Sequence, residues 1–176
     1  MKMRCLALVA GIALSAVAFS PKAQAQNANV DFTGSVPATC GINSITNGTL
    51  AKVDDNQYVA DGFSPGNPSG TGSAAIINVS CNAGTTFTIT SVSDNGGTVN
   101  LSNVTGTTAA PNRGVIIRDA NTATQVSANA INSPGSVITG PISSKNYAVQ
   151  LNLFKSGSPL PVGTYNIRSV VTLAPQ

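Results

Sequence analysis

The side chains able to do chemistry are few in this 176-residue chain. Cysteine occurs at positions 5, 40 and 81, all six acids are aspartates (31, 54, 55, 61, 94 and 119), and histidine is missing altogether. Without imidazole or glutamate, the usual general bases near neutral pH are not at hand. No Ser-x-x-Lys motif occurs, and the Gly-x-Ser-x-Gly spacing of residues 62–66 has no histidine in the chain to activate its serine. The expectation is a protein that is not an enzyme and carries no cofactor. Asp54, Asp55, Asn56 and Asp61 offer hard oxygen ligands of the kind calcium takes, but their spacing is not that of the twelve-residue calcium loop. Solvated loop aspartates are the expected reading, with no metal. Zinc lacks its histidines, and two of the cysteines have a better use.

That use is a disulfide between Cys40 and Cys81. Lys2 and Arg4 precede an apolar run over residues 6–19, and Ala23-Gln24-Ala25 then presents small residues at both recognition positions of a signal-peptide cleavage site. Residues 1–25 are therefore expected to leave as a secretory signal, taking Cys5 with them. The apolar run is shorter than the roughly 20 residues that a membrane-spanning helix needs. An exported chain left with two cysteines is expected to oxidise them. The bridge would close a loop of 41 residues, worth about 4 kcal/mol in the chain-entropy picture.

Cleavage also removes Lys2, Arg4 and Lys22, leaving six basic residues against six aspartates. A mature chain of zero net charge has no basic surface with which to hold nucleic acid or anionic membrane. Residues 26–176 are enough for one domain with one core.

The elements that must position these groups read as strands. Period-2 alternation marks residues 30–36 (Val30, Phe32, Val36), 75–81 (Ala75, Ile77, Val79, Cys81) and 87–89. Shorter candidates fall at 99–101 and 115–117. Tyr147, Val149, Leu151 and Leu153 share one face, and Tyr165, Ile167, Val171 and Leu173 share another. Turn clusters at 64–68, 94–97 and 156–159 separate the runs. About seven short strands so punctuated predict an all-β, immunoglobulin-like sandwich. Apart from the signal segment, only residues 120–130 tolerate a helix. The last strong strand ends at Leu173, three residues before the final Gln176, so the sandwich is expected to be incomplete, missing its last strand. The alternating segment ahead of Cys40 is a spare strand, and exchange of such a strand between subunits is the corresponding geometry.

Remaining candidates have ordinary explanations. Arg113 and Arg118 bracket residues 114–117 as charges that guard a strand edge would. Tyr58 and Phe63 are expected to pack over their own domain. Asn-x-Ser/Thr sequons, among them Asn47, Asn78 and Asn103, are of the number chance provides in so Asn- and Thr-rich a chain.

The stretch Val30-Asp31-Phe32-Thr33-Gly34-Ser35-Val36 followed by Cys40, with a second cysteine about forty residues on, resembles the N-terminal region of chaperone–usher pilins. Gly163-Thr164-Tyr165 followed by Val170-Val171-Thr172-Leu173 is similar to the final strand of the spore coat protein U-like and archaic pilin branch. The resemblance implies a sandwich completed first by a periplasmic chaperone and then by the N-terminal arm of the next subunit, with an outer-membrane usher as the export site. It implies Val30, Phe32 and Val36 as donor side chains on an arm at 26–39, with Gly34 where the groove is shallow. Tyr165, Ile167, Val171 and Leu173 would edge the acceptor groove. On this basis the expected function is that of a structural subunit of a bacterial surface fimbria. The alternative is a monomeric secreted binding module, for example one that binds carbohydrate.

Overall fold

The computed structural model describes residues 31–60, 72–103, 113–127, 131–155 and 157–176. The signal segment, Val30, Asp61, Phe63 and the 64–68 turn cluster lie outside them. The chain divides into two units, Met1–Ser35 and Val36–Gln176. In the first, residues 31–35 are exposed and form no strand, where alternation predicts one. Phe32 is 92% exposed. Alternation states that a segment suits a half-buried strand; it does not supply the partner that buries it.

Among the described residues the second unit holds eight strands: β1 (Cys40–Thr46), β2 (Ala51–Asp54), β3 (Gln57–Ala60), β4 (Ala75–Cys81), β5 (Thr85–Asp94), β6 (Arg113–Asp119), β7 (Ile142–Phe154) and β8 (Ile167–Pro175). Every ladder is antiparallel. β7 organises the larger sheet. One edge pairs with β4 and, further on, with β3, while Tyr147 and Val149 also meet Asp119 and Ile117 of β6 across the other edge. Beyond β4 lies β1, and beyond β3 lies β2. The first four strands therefore make one long hairpin that is interrupted twice, with a Thr49–Ser73 bridge tying the interruptions together. A Cβ on Gly48 would stand 2.6 Å from Ala75 N and from Ser73 O, so the crossing there requires glycine.

The second sheet is β5 paired with β8. Together the sheets reproduce most of an immunoglobulin constant-type sandwich, whose strands run A-B-E-D in one layer and C-F-G in the other. The order β1-β4-β7-β6 supplies A-B-E-D, and β5-β8 supplies C-F. Among the described residues nothing occupies the place of G. Residues 99–101, expected to extend, instead lead into a 3-10 turn at Leu101–Asn103. Asp94 caps it, accepting the Leu101 N–H at 2.7 Å. Residues 120–127 form turns and a bridge rather than a helix.

The main core lies between the layers. It joins Ile77, Val79 and Cys81 of β4, Val115 and Ile117 of β6, and Tyr147 and Val149 of β7 to Phe87 and Ile89 of β5. Phe87 and Tyr147 meet with ring centroids 4.6 Å apart. Burial raises the Tyr147 pKa, and its hydroxyl has no hydrogen-bond partner among the described residues. A buried, unsatisfied polar group costs free energy that a methine of the same shape does not. Tyr147→Phe is therefore expected to stabilise the domain by about 1 kcal/mol. The check is a higher urea midpoint at unchanged slope; a lower midpoint would show that the hydroxyl is satisfied.

Candidate functional site

Among the described residues, β1 and β8 carry apolar side chains that face the core yet stay partly exposed. In β1, Ile42 stands opposite Val79 and Ile45 opposite Ile77. Directly opposed residues of an antiparallel ladder point to the same face, so both isoleucines look into the sandwich. Val79 and Ile77 are 0% and 5% exposed, yet Ile42 and Ile45 are 43% and 63% exposed. β8 repeats the pattern in the other layer. Leu173 and Val171 oppose Phe87 and Ile89, which are fully buried, and are themselves only half-buried. Ile167 is likewise half-buried in a smaller apolar cluster with Leu101, Leu153 and Leu160. β1 and β8 approach one another, and their core-facing side chains line an apolar opening between the layers.

The remaining edges are managed. Residues 132–138 run along the free side of β5, where Asn132, Gly135 and Ile138 donate backbone N–H groups to Ile89, Phe87 and Thr85. The chain after β6 folds back so that Val126 donates to Ile117 O, and Asp119 donates to Thr124 O. β2 is four residues long with Lys52 and Asp54 exposed, a short charged edge that discourages pairing. β8 is nine residues long, and among the described residues its only ladder is to β5.

The corner that delivers β8 is built around Tyr165. The strand begins at Ile167, so Tyr165 does not edge the opening as part of the strand; it lies two residues earlier. Its hydroxyl donates to Pro161 O, and its ring stacks on Tyr58 at 5.3 Å. Burial raises its pKa. A tyrosine at the E–F corner bonding back to the backbone a few residues upstream is a marker of immunoglobulin-like sandwiches, and it independently assigns β8 as strand F. Gly163 supports the corner with φ +153°, a conformation that favours glycine.

Cys40 and Cys81 are disulfide-bonded and directly opposed in register, at the outer end of the β1–β4 ladder. The bridge ties the weakly covered edge strand β1 to the interior strand β4. The neighbouring Asn82 continues the attachment outward to residues 37–39. Of the predicted donor residues, Val30 lies outside the described residues, and Phe32, Gly34 and Val36 sit in an exposed segment without strand pairing.

Other candidates are occupied locally. Asp54 accepts the N–H of Asn56, and Asp55 pairs with Lys52 beside the β2–β3 turn. Lys52 holds the Asp55 carboxyl below its usual value. Asp119 takes Lys145 at 2.6 Å and the Asn121 N–H at 2.9 Å, and the lysine likewise lowers its pKa. Arg118 bonds Gln150 and Ala123 O. Asn78 lies in β4, where its amide donates to Asn146 in a chain of side-chain bonds that starts at Asn43. Among the described residues no helix is long and apolar enough to cross a membrane, and no three potential metal ligands gather.

What the geometry offers is therefore a place for a β-strand. Set against known proteins, the chain matches no family model, no curated protein and no solved structure.

Proposed function

We propose that this chain is an exported structural subunit of a bacterial surface fimbria or related surface structure, in which each copy is completed by a strand from the next. The observation that supports this most is the open side of the sandwich, where the core-facing Ile42 and Ile45 remain 43% and 63% exposed opposite fully packed partners. A strand laid beside β8 would gain main-chain hydrogen bonds along an unpaired edge. Its alternate side chains would cover Ile42, Ile45, Val171 and Leu173. The chain carries a segment of matching character, because Phe32 and Val36 are exposed apolar side chains two positions either side of Gly34. Residues two apart share a face once the segment is extended.

An open apolar edge also explains the partners. Left bare it is costly and prone to aggregation, so an exported subunit needs a periplasmic chaperone to cover it and an outer-membrane usher to exchange that cover for the next subunit. The expected result is a ladder of oligomers in SDS gels of unheated samples, collapsing to monomer on heating. Removal of residues 26–36 should abolish the ladder while leaving the monomer folded. Full-length protein that stays monomeric at every concentration and is stable without a partner would defeat this reading and favour a monomeric secreted binding module.

A further inference from the structure

Just ahead of β1, one residue holds the backbone three times, twice through its side chain. Asn82 N–H donates to Thr39 O at 3.1 Å. Its side-chain oxygen accepts the Thr39 N–H at 2.7 Å, and its amide nitrogen donates to Pro37 O at 2.9 Å. The asparagine amide presents an acceptor oxygen and a donor nitrogen on separate atoms, and its short stem suits bonds one and three residues beyond the Cys40–Cys81 rung. The clasp begins at Pro37, next to the point where the chain's two units divide, between Ser35 and Val36.

We infer that Asn82 is a positioning residue that fixes the root of the donor segment, so that the free arm ends at Val36 rather than at the disulfide. This rests on the strand-donor reading for its consequence, but not for its geometry. β1 alone would make a poor anchor, since its core face is half open and among the described residues it pairs on one side only. The disulfide carries tension from β1 covalently into β4, which is paired on both sides. Without the Asn82 side chain, residues 37 and 38 would add two residues of slack between consecutive subunits, roughly 7 Å of extended chain, while the main-chain bond to Thr39 O remains.

The test compares the full-length exported protein with Asn82→Ala and Asn82→Asp. In Asn82→Ala the Thr39 amide is expected to exchange with solvent about tenfold faster, with Ile77 and Val79 amides and the urea midpoint close to wild type. Asn82→Asp keeps the acceptor for Thr39 N–H but loses the donor to Pro37 O. Thr39 should then stay protected while proteolysis reaches further toward residue 38. Pairs of linked subunits carrying Asn82→Ala should show a maximum dimension in solution scattering up to about 7 Å larger. Thr39 exchange at the wild-type rate in Asn82→Ala would overturn the clasp, whatever the oligomers do. Faster exchange with subunit pairs of unchanged dimension would overturn its spacing role. Wild type without linked subunits would instead defeat the strand-donor reading and the spacing role with it, whereas the exchange result would still decide the clasp.

Discussion

A peptide of residues 26–36 is expected to raise the melting temperature of a variant truncated through Val36, in a saturable manner. The truncation stops there because residues 37–39 belong to the Asn82 attachment. A ligand that binds only the folded state stabilises it by about 2.7 kcal/mol at a hundred times its dissociation constant. For a domain of this size that is roughly 5–10 °C. The gain comes from new main-chain bonds to β8 and from covering Ile42, Ile45, Val171 and Leu173, which the present fold leaves partly in water. Replacing Phe32 by aspartate in the peptide should erase the shift, because a carboxylate would have to enter an apolar opening without a partner. A scrambled peptide controls for composition. Equal shifts from native and Asp-substituted peptides would mean that the binding is not strand insertion. No shift from either would leave the opening without this occupant.

Loss of the disulfide is the other large effect. Cys40→Ser is expected to cost about 2–5 kcal/mol out of a total of about 5–15 kcal/mol for an ordinary domain, and little variant should accumulate in the exported fraction. The loop argument alone gives about 4 kcal/mol for the 41-residue separation. The structure adds a reason for the upper part of the range. Among the described residues β1 pairs only with β4, and two of its core-facing residues remain 43% and 63% exposed, so the ladder by itself holds it weakly. When β1 detaches, Ile77, Val79 and Cys81 lose their cover on that side. Denaturant melts of wild type with and without reductant should show the same gap as the mutant. A reduced protein with an unchanged midpoint would show that β1 is held by its ladder alone.

Much of this molecule is legible without coordinates, and the legible parts share a cause. The alternation in β4, β5, β7 and β8 could be read because each of these strands buries one face against the opposite layer, and period 2 records that directly. The Cys40–Cys81 pairing follows from cysteine count and expected export. The turn at 94–97 follows from its glycines, and Gly96 does adopt a positive φ of 88°. These are local or compositional properties, and the chain carries them wherever it folds.

The first strand shows the limit. Alternation favours residues 30–36, yet the strand forms over Cys40–Thr46, Cys-Gly-Ile-Asn-Ser-Ile-Thr, where a bulge between Ile42 and Ser44 breaks the period. Its polar residues are there because the edge it forms is half exposed, and Asn43 bonds Asn78 and Ser80 of the next strand. β2 and β3 are four residues each, too short for a period to declare itself. Tyr165 reads as one more strand residue, and only the fold of the corner turns its hydroxyl back to Pro161. Asn82 reads as a turn asparagine until its partners, more than forty positions away, are in place. The sequence by itself determined which faces are apolar, which cysteines can pair and where the chain can turn. The tertiary structure decided which apolar faces find a cover and which stay open, because burial belongs to a pair of surfaces and a single segment encodes only one of them.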